Sequence, residues 1–177
     1  MIGGIVENFG SSCHDGTGGF FITEGDEYDT AFFDKRSKFF HYLPDQLILN
    51  NLEFDHADIF DSLEDIKRSF RQMLRLIPQN GVIAANGDDD NVQDVLKSAY
   101  SPVINFGLGE ACDVRAVEIE ASESGTNFVV HNKTQKNYPN SQKFTLKLSG
   151  IYNVLNALGV IALARHNGVS DIKIQAA

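Results

Sequence analysis

GVIAANGDDDNVQDVLKSAYSPVINFG, residues 81–107, contains one full strand–turn–helix–strand unit. Val82 to Ala85 is an uninterrupted apolar run, the signature of a strand buried on both faces. Gly87 to Asp90 is turn chemistry, Val92 to Tyr100 reads as a short helix, and Val103 to Phe106 is a second apolar strand. Two strands joined through a helix pair in parallel, so this stretch predicts an α/β sheet with helices packed on it.

The pattern repeats upstream. Asp61, Ser62 and Glu64 supply helix-start chemistry, and Leu63, Ile66, Phe70, Met73, Leu74 and Ile77 recur at helical spacing until Pro78 and Gly81 end the run. Before it, Pro44 breaks the chain and Gln46 to Leu49 predicts a strand that ends at Asn50 and Asn51. Phe20 to Thr23 predicts another buried strand, delivering Glu24, Asp26, Glu27 and Asp29 at its carboxyl end. The Gly-rich residues 1–20 read as a short strand end followed by a long loop.

Downstream the texture changes. Val114 to Glu120, Asn127 to His131 and Lys143 to Leu148 alternate apolar and polar residues, which predicts an antiparallel meander. Gly150 opens a last helix, Ile151 to His166, with Asn167 and Gly168 at its C-terminus. The expected architecture is α/β: a mostly parallel central sheet flanked by helices, with an antiparallel β meander in the C-terminal half. Residues 1–177 read as one domain.

The composition limits function. Hydrophobic residues are 42% of the 177 and charged residues 22%, so the chain can bury a core. Lys and Arg total 15 against 24 Asp and Glu, a formal net charge of -9, with no cationic stripe. Nucleic acid and anionic membranes are therefore poor partners. No apolar stretch approaches the length of a membrane helix and no secretory pattern opens the chain, so a cytoplasmic location is expected. Cys13 and Cys112 lie far apart and predict two free thiols.

In open α/β sheets ligands bind at the carboxyl ends of the parallel strands. Two such ends are rich in polar groups: residues 24–29, and residues 50–58 with Asn50, Asn51, Glu53, Asp55, His56 and Asp58. Oxygen ligands with one imidazole suit Mg²⁺, although the same acidic residues also read as solvated surface. Asn153 and Asn156 share one face near the start of the last helix, where amides suit an adenine or ribose edge or simply face water. Tyr152 beside them could stack on a base or cover the helix start. Asp88, Asp89 and Asp90 read as a solvated helix cap. Lys35, Arg36 and Lys38 read as a solvated face, with phosphate contact the lesser reading. Ser11 to His14 lacks the elbow that a nucleophile needs, and no Gly-Lys-Thr or Gly-Lys-Ser phosphate loop is present.

Taken in order, Gly3-Gly4, Glu24-Gly25-Asp26-Glu27-Tyr28-Asp29, Asn50 to His56 and Gly150 to Leu158 resemble the central domain of the Mur ligase family. Asp26 to Phe39 and Asn50 to Phe60 resemble members that attach a recycled tripeptide. In members that attach L-alanine, a Glu-Ser-Asp-Ala-Ser continuation and a Met after Asp-His are expected where Tyr28 and Ala57 stand. The resemblance implies an ATP- and Mg²⁺-dependent amide ligase joining UDP-N-acetylmuramate to L-alanyl-γ-D-glutamyl-meso-diaminopimelate through an acyl phosphate. An L-alanine ligase and a non-catalytic nucleotide-binding module are the alternatives. By resemblance Glu24 and His56 are the Mg²⁺ ligands and catalytic groups, Asn153, Asn156 and Tyr152 lie at the adenine nucleoside, and Asn50, like Asp26, is on the phosphate side. Tyr152 stands where relatives usually have His. The family's phosphate loop is expected just upstream of Gly3, and its flanking domains are expected on either side. The chain is thus expected to be an excised central domain or an incomplete gene product, inactive alone.

Overall fold

The computed structural model describes residues 4–5, 10–55 and 58–177. The chain forms two compact units, Met1–Tyr42 and Leu43–Ala177.

The first unit is organised by a hairpin. β1 (Asp29–Ala31) pairs antiparallel with β2 (Asp34–Ser37), and a 3-10 turn, Lys38–His41, follows. Ion pairs hold it: Lys35 to Asp29 at 2.6 Å, Arg36 to Asp34 at 2.7 Å and Lys38 to Asp26 at 2.7 Å. The cations read from sequence as a solvated face are thus each engaged by a carboxylate. Arg36 hydrogen-bonds Asp34 and holds its carboxyl well below the usual range, and Asp26 raises the Lys38 ammonium. The expected strand at Phe20 to Thr23 does not form. Residues 20–23 lie in no strand of the described structure, and Phe20, Phe21 and Ile22 are 67%, 75% and 79% exposed. β-propensity expresses packing on a pleated surface, and these side chains are exposed instead of packed on one. The acidic cluster consequently follows a loop, and two of its members, Asp26 and Asp29, tie down the hairpin.

The second unit is built on one six-stranded sheet whose spatial order, β3-β4-β5-β6-β7-β8, is also the chain order. β3 (Gln46–Leu49), β4 (Val82–Asn86) and β5 (Val103–Gly107) are parallel, joined through α1 (Leu63–Leu74) and α2 (Asp90–Leu96). Ser62 caps α1 by accepting the Asp65 N–H, as its position in the sequence predicts. β6 (Val114–Ser122), β7 (Gly125–Asn132) and β8 (Ser141–Leu146) form the meander, with antiparallel β6–β7 and β7–β8 pairs.

The β5–β6 junction sets the shape of the carboxyl edge. Parallel neighbours normally need a connection of about a dozen residues or more. Here residues 108–113 suffice, because the two strands overlap only at Phe106↔Val114 and Gly107↔Arg115. β6 therefore starts beside the last residues of β5 and runs on past them, so the meander overhangs the carboxyl ends of the parallel strands.

β4 alternates between two cores. Ile83 and Ala85 join Leu49, Ile66, Leu74, Ile77, Val92 and Val95 under α1 and α2. Ala84 joins Phe106, Val114, Phe128 and Phe144 under α3 (Ile151–His166) through Val154, Leu158, Ile161 and Ala162. Gly159 brings α3 close to the sheet: a Cβ there would lie 2.7 Å from Ile48 and 3.1 Å from the Phe106 ring. In β6, Glu118 has φ of 49° and the register slips between Val117 and Glu120. The bulge shifts the alternation by one residue, turning Ile119 toward the core face of Val114 and Ala116 and leaving Glu118 exposed.

α3 runs against the strands. At its C-terminus Asn167 exchanges two amide hydrogen bonds with Gln46, the first residue of β3, at 2.7 and 3.0 Å. At its other end Ser149 donates to the Ser122 carbonyl and Thr126 donates to the Leu148 carbonyl, both at the overhanging tip of the β6–β7 pair. Spanning about 24 Å at 1.5 Å per residue, α3 carries its N-terminus to the carboxyl edge of the sheet. A short final helix, α4 (Asp171–Ala176), is absent from the sequence reading. It is anchored by the buried Arg165, which binds Asp171 at 2.8 and 3.0 Å and lies against the rings of Tyr138 and Phe144.

Candidate functional site

Three loops and one helix start meet the carboxyl edge of the second unit: the segments after β3, β4 and β5, and the N-terminus of α3. This is the edge at which open α/β sheets bind ligands. The structure brings four of the expected site residues there: Asn50 on leaving β3, and Tyr152, Asn153 and Asn156 on the first turns of α3.

The Asn50 Oδ1 is buried and has no hydrogen-bond partner among the described residues. An acceptor in that state awaits a donor or a cation. Asn153 donates through Nδ2 to the Ser149 carbonyl at 2.8 Å, which fixes its amide at the helix start. Gly150, at φ 107°, caps α3 without a side chain, so the first turn stays uncovered. Tyr152 is 80% exposed and Asn156 is also exposed.

Glu24 lies in the first unit, exposed, in the loop before β1. His56 lies outside the described residues. Among the described residues no group of three or more His, Cys, Asp or Glu side chains converges as a metal cage. On this edge the orphaned acceptor of Asn50 is of a type that a cation-bearing ligand could use.

The β4–α2 turn holds the edge together, a role the sequence reading underestimated. Asp89 caps α2, as expected, its Oδ1 accepting the Val92 N–H at 2.9 Å. Its Oδ2 accepts the Leu52 N–H from the loop after β3 at 3.2 Å, and Asn91 Nδ2 donates to the Leu52 carbonyl at 2.9 Å. Asp88 reaches the other way, accepting the N–H groups of Leu108 and Gly109 at 2.5 and 3.0 Å. The run is therefore not a solvated cap alone. Gly107 and Gly109 leave the space: a Cβ on either would stand 2.4 Å from an Asp88 oxygen. Cys112 closes the pocket of contacts, its Sγ 3.7 Å from Asp88 Oδ1. Burial, with the Asp88 charge beside it, pushes the Cys112 thiol up to about 11. A pattern of adjacent carboxylates between a strand and a helix signals such a turn, but not which neighbouring loops it grips.

The fold and this edge define the class: an α/β protein whose carboxyl edge is bounded by a strand-exit asparagine and an asparagine-bearing helix start. The chain belongs to the Mur ligase family, whose middle domain matches residues 12–164. It is 41% identical over 170 residues to the UDP-N-acetylmuramate--L-alanyl-gamma-D-glutamyl-meso-2,6-diaminoheptandioate ligase of Haemophilus influenzae, and 40% identical to that of Escherichia coli. Each alignment covers 96% of this chain and 36% of the relative, so the chain spans about a third of those proteins. A UDP-N-acetylmuramate--L-alanine ligase of Desulfitobacterium hafniense is 35% identical over 176 residues, 98% of this chain and 36% of that one. Among solved structures, the UDP-N-acetylmuramate:L-alanyl-gamma-D-glutamyl-meso-diaminopimelate ligase of Neisseria meningitides superposes with a TM-score of 0.79 at 41% identity, covering 98% of this chain and 53% of that one. Among the described residues no helix is long and apolar enough to cross a membrane.

Proposed function

We propose that this chain is the nucleotide-binding middle part of an ATP-dependent ligase that joins UDP-N-acetylmuramate to L-alanyl-γ-D-glutamyl-meso-diaminopimelate. The observation that carries the reading is 40–41% identity to two tripeptide ligases across nearly the whole chain, against 35% to the L-alanine ligase of Desulfitobacterium hafniense. The reaction brings a carboxylate and a triphosphate together, so anionic charge must be neutralised while the groups are aligned. When bound, Mg²⁺ supplies that neutralisation. Glu24 and His56 are its proposed protein ligands, and Asn50 offers its orphaned acceptor on the phosphate side. Asn153 and Asn156 hold the adenine nucleoside at the start of α3, with Tyr152 against the base. The uncovered first turn of α3 favours negative charge nearby.

The test is a chimera in which this chain replaces the equivalent third of the Haemophilus influenzae relative. Phosphate release from Mg·ATP is expected to depend on the tripeptide. Stimulation by L-alanine in its place overturns the acceptor assignment, and no nucleotide-dependent release overturns the ligase reading. In the same chimera Glu24→Ala and His56→Ala are each expected to lower turnover by about 10²-fold, the scale of a single electrostatic catalytic group. Full activity in both variants rejects the metal assignment.

A further inference from the structure

We infer that Asp89, with Asn91, is a positioning residue for the phosphate side of the nucleotide, an inference that rests on the nucleotide reading above. Leu52 lies two residues beyond Asn50 and is 3% exposed. Both of its backbone polar groups are taken by one turn: its N–H by Asp89 Oδ2 and its carbonyl by Asn91 Nδ2. The exit of β3 is thereby pinned to the start of α2, and Asn50 lies between the end of β3 and this clamp.

The chemistry selects the residue type. A helix cap requires one acceptor, which Ser, Thr, Asn or Asp provides equally well. Asp89 uses two acceptors on two different segments, Oδ1 for Val92 and Oδ2 for Leu52. A hydroxyl cannot span both. An asparagine keeps the cap through its carbonyl oxygen but turns an NH₂ toward the Leu52 N–H, setting donor against donor. Asp89→Asn therefore preserves α2 and removes one of the two bonds that hold the loop after β3, leaving only the Asn91 contact. The consequence falls on what that loop carries: Asn50 and the segment running to Asp55. The nucleoside contacts proposed on α3 belong to another element and are untouched.

The experiment titrates the chain and its Asp89→Asn and Asp89→Ser variants with adenosine and separately with Mg·ATP, followed through backbone amide resonances. Amide hydrogen exchange is measured on the same samples. In both variants the Leu52 amide is expected to exchange about tenfold faster, the scale of one charge-assisted hydrogen bond, while Val92 and Gln93 stay protected. Adenosine affinity is expected to stay unchanged and Mg·ATP affinity to fall about tenfold or more. Equal loss for both ligands marks a merely structural cap and overturns the inference, as does unchanged Mg·ATP affinity or an unaltered Leu52 amide. If neither the unsubstituted chain nor the chimera that supplies the upstream phosphate loop binds either ligand, the nucleotide reading itself fails and takes this inference with it. If the unsubstituted chain binds Mg·ATP no more tightly than adenosine, the loop has no phosphate role and the inference is overturned.

Discussion

Asp88 shows how much one side chain can fasten. Its carboxylate accepts two backbone N–H groups from the β5–β6 connection, and the glycines at 107 and 109 leave it room. Asp88→Ala removes both acceptors, and a destabilisation of about 1–3 kcal/mol is expected from urea unfolding; an unchanged midpoint would show that water replaces the carboxylate at no cost. Cys112 packs into the same contacts, buried and protonated at neutral pH, whereas Cys13 is exposed. Iodoacetamide is expected to label Cys13 in the native chain and Cys112 only on unfolding. Prompt labelling of both would contradict the burial. At this scale the sequence was half legible. Asp89 before an apolar helical pattern announces a cap, but its second oxygen and the reach of Asp88 depend on loops from distant parts of the chain. That Asn153 and Asn156 share one helix start was readable, because a helix fixes their spacing. Glu24 was assigned to the end of a buried strand that does not form.

At the scale of elements, α1 and α2 are joined through Asp94, which meets Lys67 at 3.3 Å, Arg71 at 2.8 Å and Lys97 at 3.1 Å. Hydrogen bonds from Lys97, Lys67 and Arg71 lower its carboxyl to about 2 from an ordinary 3.8. A carboxylate with a depressed native pKa contributes stability above its unfolded pKa and loses it on protonation. The contribution of Asp94 is therefore full near neutral pH and disappears as pH falls from about 4 to about 2. The melting temperatures of the chain and of Asp94→Asn are expected to differ near neutrality and converge at about pH 2. A constant difference would assign the effect to packing. On α3, Gly159→Ala places a methyl against Ile48 and the Phe106 ring, and overpacking of this kind costs about 1–3 kcal/mol. Equal or greater stability would show that the sheet yields. The elements of the second unit were the most legible part of the sequence, since β3 to β5 stand out as short apolar runs, β6 to β8 alternate and α1 carries a helical period. β1 (DTA) and β2 (DKRS) lack the apolar run that marks the equally short β3, the six-residue α4 is too short to show a helical period, and their order comes from ion pairs and from Arg165.

Across the whole molecule, the mixed sheet was readable as a class because helical and alternating patterns occupy different halves of the chain. The junction that makes the sheet continuous was not. Only the two-residue overlap of β5 and β6 explains how a short connection joins parallel neighbours, and overlap is a property of three-dimensional register. The order of the strands has a further consequence for how this protein is made. Because each strand of the sheet pairs with the one before it in the chain, pairing can keep pace with synthesis, one strand at a time from the ribosome. The helix that covers Phe106, Val114, Phe128 and Phe144 follows all six strands in the chain. A polypeptide stopped after Leu146 is expected to bind a hydrophobic dye and to aggregate, and one that runs on through α4 to do neither. Equal dye binding by the two would contradict this order. During translation, then, the sheet stands half-dressed until α3 emerges, and that interval is when a chaperone would find this protein.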